Sequence, residues 1–188
     1  MYRFKKAIIA LFVMTFFVSY ALCSEEGQKD QRQKWLSAIR MGLLAHDVAI
    51  WSLSRKEGGV DFNTEFIFTW PNYSLFAGIV RSNLGASLNN QGDTSKIYSG
   101  FLWEYIRQSG VFFNSGIGIA VHDGELKTDD NDKKELGSKI LFRIPFEIGL
   151  LFAQHHGLSI MFDHVSNAYL AEPNHGLDTF GIRYTYRF

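Results

Sequence analysis

A strict two-residue alternation, repeated along the chain, constrains its fold more than any other feature. Across the 15 residues from Ser138 to Phe152 the even positions read Ile140, Phe142, Ile144, Phe146, Ile148, Leu150 and Phe152. The odd positions read Lys139, Leu141, Arg143, Pro145, Glu147 and Gly149. Successive side chains of a strand point to opposite faces, so this run is a strand with one bulky apolar face and one small, polar or charged face. It is much longer than the usual globular strand of about 5–6 residues. The pattern recurs in Val60, Phe62, Phe66, Phe68 and Trp70, in Phe101, Trp103 and Tyr105, and in Phe113, Ile117, Ile119 and Val121. The last run places Phe180, Ile182, Tyr184, Tyr186 and Phe188 on one face, with Gly181, Arg183, Thr185 and Arg187 on the other.

Eight strands are expected, at roughly 35–48, 60–70, 75–88, 97–107, 111–122, 138–152, 157–169 and 177–188. The connections alternate in length, with short turns near Pro71-Asn72-Tyr73, Gln108-Ser109-Gly110 and His155-His156-Gly157 and longer polar segments between them. A soluble barrel would put its apolar face inside and a continuous polar coat outside. Here the second face carries isolated charges among glycines, namely Glu65, Glu104, Arg143, Glu147, Arg183 and Arg187. That fits a polar, ion-paired lumen behind a lipid-facing apolar band. The expected fold is all-β, an eight-stranded antiparallel transmembrane β-barrel. Its short turns would face the periplasm and its long loops the outside. The ending Tyr184-x-Tyr186-x-Phe188 resembles the aromatic last strand of bacterial outer-membrane proteins. The four tryptophans Trp35, Trp51, Trp70 and Trp103 sit near strand ends and read as interfacial anchors.

The N-terminus reads as a targeting segment. Arg3, Lys5 and Lys6 precede an apolar run from Ala7 to Val18, and small residues follow around Ala21 and Cys23. This is the order of a secretory signal peptide, expected to be cleaved from residues 1–23, with 24–34 a short polar lead into the barrel. Bulky Leu22 disfavours a lipoprotein signal centred on Cys23. The chain has 19 basic and 19 acidic residues, so removal of the three N-terminal cations leaves a charge of −3. No basic field points to nucleic acid. One cysteine excludes a disulfide framework or a cysteine-based zinc site.

The chemistry concentrates at the outer end of the seventh strand. His164 and Ser166 are two residues apart and share a face, with Cα atoms roughly 6.6 Å apart, close enough for an imidazole to reach a hydroxyl. The turn that follows brings Asp178 onto the adjacent strand with the same parity, completing an imidazole, hydroxyl and carboxylate set. The even face of this strand otherwise holds Leu158, Ile160 and Phe162, so the polar pair extends a lipid-facing stripe. Polar groups there are expensive unless satisfied or used. His46-Asp47 forms a second apparent pair, read as structural, and His155-His156 reads as a solvated turn.

The string His164-x-Ser166-Asn167-Ala168-x-Leu170-x-x-Pro173-Asn174-x-Gly176-Leu177-Asp178 resembles the active-site segment of the outer-membrane lipid A 3-O-deacylases. Gly42-Leu43-Leu44-Ala45-His46-Asp47 is similar to the family's opening strand, and the likeness spans about Trp35 to Phe188. The resemblance implies that His164 is the base and Ser166 the nucleophile. It implies that Asn167 steadies the oxyanion, with Asn174 in support, and that no metal or organic cofactor takes part. The family's acidic member is Glu where this chain has Asp178, and Asp178→Glu is accordingly expected to retain activity. The implied partners are lipid A or lipopolysaccharide as substrate and the surrounding outer-membrane lipid, with no nucleic acid; a homodimer is left open. The rival readings are a non-catalytic small barrel for adhesion or membrane integrity, and another lipid-active barrel such as an acyltransferase or phospholipase. Phospholipase barrels need more strands than this chain supplies.

Overall fold

The computed structural model describes residues 34–188 apart from Leu53. The expected signal peptide and nearly all of segment 24–34 lie outside the described residues. The strands are β1 (Leu36–Ala45), β2 (Val60–Leu75), β3 (Gly78–Asn89), β4 (Lys96–Ile106), β5 (Val111–His122), β6 (Ile140–Phe152), β7 (His156–Ser166) and β8 (Leu177–Arg187). Each pairs with its sequence neighbour, and β8 closes on β1, so the eight strands form a closed antiparallel barrel. Closure leaves no sheet edge with unpaired backbone groups, which a hydrocarbon environment demands.

Alternation sorts the side chains as the sequence implies. Phe62, Ile97, Ile117, Ile148, Leu158 and Ile182 stand on the outer wall, each about half or more exposed. The opposite face fills the lumen with ion pairs. Arg183 bonds Glu147 at 2.7 Å and Glu65 at 2.9 Å, Arg40 bonds Glu104 at 2.9 Å, and Arg143 bonds Asp163 at 2.7 Å. The Arg143 guanidinium also lies 3.6 Å from the centre of the Tyr98 ring. Each of these charges is desolvated, and each is kept inside by at least one opposite charge beside it. The sequence reading located the charges by parity; Arg40, Lys96 and Asp163 join them.

The strand limits differ most from the expected ones at the β2–β3 turn and at the ends of β1 and β7. The β2–β3 turn falls at Phe76-Ala77 rather than at Pro71, because β2 runs on to Leu75. Pro71 has no N–H to donate, and the register shifts on both sides of it, between Ile67 and Pro71 and between Pro71 and Tyr73, while Pro71 still lies opposite Arg81. β1 ends at Ala45, and Asp47 and Ala49 then take left-handed backbone angles that lead the chain off the wall. β7 ends at Ser166, since Ala168 and Tyr169 are left-handed as well. The long connections L1 (46–59), L2 (90–95), L3 (123–139) and L4 (167–176) all lie at the same end of the barrel.

Candidate active site

His164 and Asp178 are direct cross-strand partners in the β7–β8 ladder. Asp178 Oδ1 therefore lies 2.6 Å from His164 Nδ1, and Nε2 on the far side of the ring lies 3.1 Å from Ser166 Oγ. An ionised carboxylate only accepts, so Nδ1–H donates to it and Nε2 presents its lone pair to the serine hydroxyl. The three residues expected from parity are thus brought into one line, at the outer rim and on the lipid-facing side of the wall.

Parity puts Asp178 on the outside, yet it is fully buried. L1 covers it. The N–H of Val48 bonds the Asp178 carbonyl at 3.0 Å. Asp178 Oδ2 accepts from the Trp51 N–H at 2.6 Å, the Ser52 N–H at 2.7 Å and the Ser52 hydroxyl at 3.1 Å. Trp51 also lies edge-on against His164, with ring centres 5.2 Å apart, and against Phe162 and Phe146. Trp51, read from sequence as an interfacial anchor, thus also forms a wall of the site. No periodic signal marks these loop residues; the only hint is a tryptophan in an otherwise mostly polar loop.

L1 is itself locked. His46, fully buried, bonds Asp61 at 2.7 Å and Glu57 at 3.0 Å. Glu57 further accepts from the Lys134 N–H of L3 and from the Thr94 N–H and hydroxyl of L2. Lys134 Nζ pairs with Asp47 at 3.0 Å. Burial alone would push the His46 imidazole down, but its bonds to two carboxylates outweigh this and raise it from 6.5 to about 9. Burial would likewise push Glu57 up, and its bonds to His46 and to backbone N–H groups instead hold it at about 2. The structural reading of His46-Asp47 thus acquires its partners.

The charged His46 stabilises the docked loop fully below pH 6.5, and that contribution is lost as pH rises through about 9. Glu57 acts at the opposite extreme, its contribution fading only as pH falls toward about 2. Hydrogen exchange should therefore show the protection of the L1 amides falling progressively between about pH 6.5 and 9, by on the order of 3 kcal/mol in all, and level above that. Protection unchanged up to about pH 10 would mean that His46 is not held charged.

L4 completes the site. Asn167 is buried, as alternation from Ser166 requires, and its Nδ2 contacts the carbonyls of Leu136, Ala171 and Pro173 at 2.9–3.0 Å. Its amide is spent on holding L4, so it does not present a donor to the pocket. Asn174 Oδ1 accepts from the Asn167 N–H at 3.1 Å, and Asn174 lines the pocket beside Ser166. Two glycines permit the close fit. A Cβ at Gly137 would lie 2.0 Å from the Pro173 carbonyl, and one at Gly176 would lie 3.2 Å from His164 Cε1; both residues are left-handed, with φ of +65° and +63°. The pocket of about 230 Å³ is bounded by Trp51, Ser52, His164, Ser166, Tyr169 and Asn174 among others. A second hollow of about 250 Å³, lined by Ile119, Ile140, Phe142 and Leu170, lies along the neighbouring strands, and Phe142 is the ladder partner of Ser166.

His155 and His156 lie at the opposite end, bonded to the Arg187 carbonyl at 2.8 Å and the Tyr184 hydroxyl at 2.5 Å. They take no part in the site.

Comparison with known proteins gives the chain's relatives. The chain is 33% identical over 85 residues to the lipid A deacylase PagL of Pseudomonas aeruginosa, covering 45% of this chain and 47% of that protein. It is 32% identical over 77 residues to the lipid A deacylase PagL of Bordetella bronchiseptica, covering 41% of each. The matched stretches thus span less than half the length of either relative. Among solved structures, the crystal structure of the outer membrane enzyme PagL superposes with a TM-score of 0.60 at 19% identity, over 81% of this chain and 100% of that one. At that identity the likeness speaks for the barrel alone. The family profile described as Lipid A 3-O-deacylase (PagL) matches residues 56–187, well over half the chain and all of the segment that carries His164, Ser166 and Asp178. The chain belongs to the lipid A 3-O-deacylase (PagL) family.

Proposed function

We propose that the protein is an outer-membrane serine esterase that hydrolyses the ester-linked 3-hydroxyacyl chain of lipid A in the outer leaflet. The observation that carries this reading is the unbroken line Asp178–His164–Ser166 on the lipid-facing rim of the barrel, with distances of 2.6 Å and 3.1 Å. A nucleophile there meets an amphiphile laterally, with the sugar at the loops and the acyl chains along the apolar wall. The hollow beside Phe142 is a seat of the right polarity for such a chain.

His164 Nε2 takes the Ser166 proton as Oγ attacks the ester carbonyl. The tetrahedral oxyanion is stabilised by the Asn174 carboxamide, whose Oδ1 is tied to the Asn167 N–H, leaving its NH₂ end as the donor. Asn167 supports this arrangement by fixing L4. Collapse returns the proton to the departing sugar 3-oxygen and leaves a 3-hydroxyacyl ester on Ser166. Water, deprotonated by His164, then attacks that ester and releases the hydroxy fatty acid.

Mass spectrometry of lipid A from cells with and without the gene tests the reading. The expected result is loss of one hydroxyacyl chain when the gene is present. A gain of an acyl chain would indicate a transferase instead, and unchanged lipid A would favour a non-catalytic barrel.

A further inference from the structure

We infer that Ser52 is a positioning residue of this relay, holding the Asp178 carboxylate in the plane that His164 requires. The inference rests on the hydrolytic relay proposed above and assigns it a member from the opposite side of the barrel seam, in L1 between β1 and β2.

Asp178 stands on the outer face of β8, where an unpartnered carboxylate in hydrocarbon would be strongly disfavoured. A carboxylate turns readily about its last side-chain bond, so the cross-strand position alone does not decide which oxygen faces His164 or at what tilt. Three donors settle it. The N–H groups of Trp51 and Ser52 and the Ser52 hydroxyl all converge on Oδ2, leaving Oδ1 to His164. Ser52 supplies two of the three, and the residue is buried, so water does not readily replace a lost donor. Trp51, packed on the His164 ring, screens the same bond from lipid.

The alternative is that Ser52 merely closes a turn of L1 and touches the relay by accident. The two roles separate kinetically. An orienting hydrogen bond strengthens as the imidazolium forms, so its loss lowers kcat and leaves KM alone. A loop defect that opens the pocket moves KM as well.

Threonine and valine at this position have nearly the same shape and differ in the hydroxyl, so comparing them removes steric effects. Purified folded Ser52→Thr and Ser52→Val proteins would be assayed on lipid A in mixed detergent micelles. In parallel, the rate of Ser166 labelling by a fluorophosphonate would be followed. The Thr variant should exceed the Val variant about tenfold in kcat and in labelling rate, the scale of one hydrogen bond to a charged group, with KM equal within about twofold. Ser52→Ala should fall with the Val variant. Equal rates for the Thr and Val variants, with lipid A still hydrolysed, would overturn this inference alone. So would a Thr–Val difference carried by KM. If the unmutated protein labels at Ser166 but leaves lipid A intact, the substrate assignment fails, and the labelling rates still decide the role of Ser52. If it neither labels nor hydrolyses, both readings fall.

Discussion

Replacing Ser166 by alanine is expected to abolish lipid A deacylation and leave the barrel closed. The loss should be roughly 10³–10⁶-fold, because a nucleophile, its base and their orienting group act as a unit. Stability should hardly change. Ser166 is the last residue of β7, part-exposed at the rim, and its hydroxyl bonds the His164 ring rather than any luminal pair. Losing this one hydrogen bond at a partly solvated rim costs about 1 kcal/mol. His164→Ala should be as inactive, and the double variant no worse than either single one. The check is hydrolysis by purified variants in one detergent, with heat-dependent gel mobility as the control for folding. Activity within tenfold of the unmutated protein in a correctly folded Ser166→Ala variant would sink the nucleophile assignment.

The barrel was legible because its signal is repeated: the same alternation recurs along the eight strands and reports which side of the wall each residue occupies. The parity that put Glu65, Glu147 and Arg183 inside also put His164, Ser166 and Asp178 outside. Parity does not say who pairs with whom. That Arg183 bridges Glu65 and Glu147 depends on stagger around a closed cylinder, which no single strand encodes. Strand ends were legible only approximately, since Pro71 interrupts a ladder without ending it and Asp47 bends a chain that still reads as apolar. Alternation also assigns Asn167 to the lumen side, against the role implied by family resemblance, and the structure follows the alternation. L1 was not legible. Trp51 and Ser52 lie 127 and 126 residues before Asp178, in a loop whose residues obey no period. Only the folded chain shows that a lipid-facing carboxylate is buried, and by what.

That burial changes what is expected at Asp178. Read from sequence, a carboxylate at the rim of a wall is partly solvated, so Asp178→Asn would cut turnover by less than Ser166→Ala. With Oδ2 held by three L1 donors and Oδ1 by His164, Asp178→Asn should instead be severe. The amide has one acceptor atom. Two fixed backbone N–H groups and a hydroxyl compete for it against one histidine, so the oxygen goes to L1 and the NH₂ turns to His164. Nδ1 must then accept, which moves the ring proton to Nε2 and removes the lone pair that Ser166 needs. The same exchange of Asp for Asn in a serine protease relay costs about 10⁴ in kcat through the wrong tautomer, and a loss of that order is expected here with KM little changed. Asp178→Glu, expected to retain activity on family resemblance, meets the same enclosure. The extra methylene drives the carboxylate into the Trp51–Ser52 backbone, so L1 must lift or His164 must shift. A drop of about tenfold or more is expected, since displacements of about 1 Å at such a relay cost about 100-fold. Substituting glutamate should also raise hydrogen exchange in L1, whereas asparagine, which keeps the three L1 donors on an oxygen, should not. Both variants would be compared on lipid A in a single detergent, alongside Ser166→Ala as the floor. If Asp178→Asn stays within tenfold of the unmutated protein, Asp178 does not fix the tautomer of His164, and its bonds to L1 serve the loop rather than the chemistry.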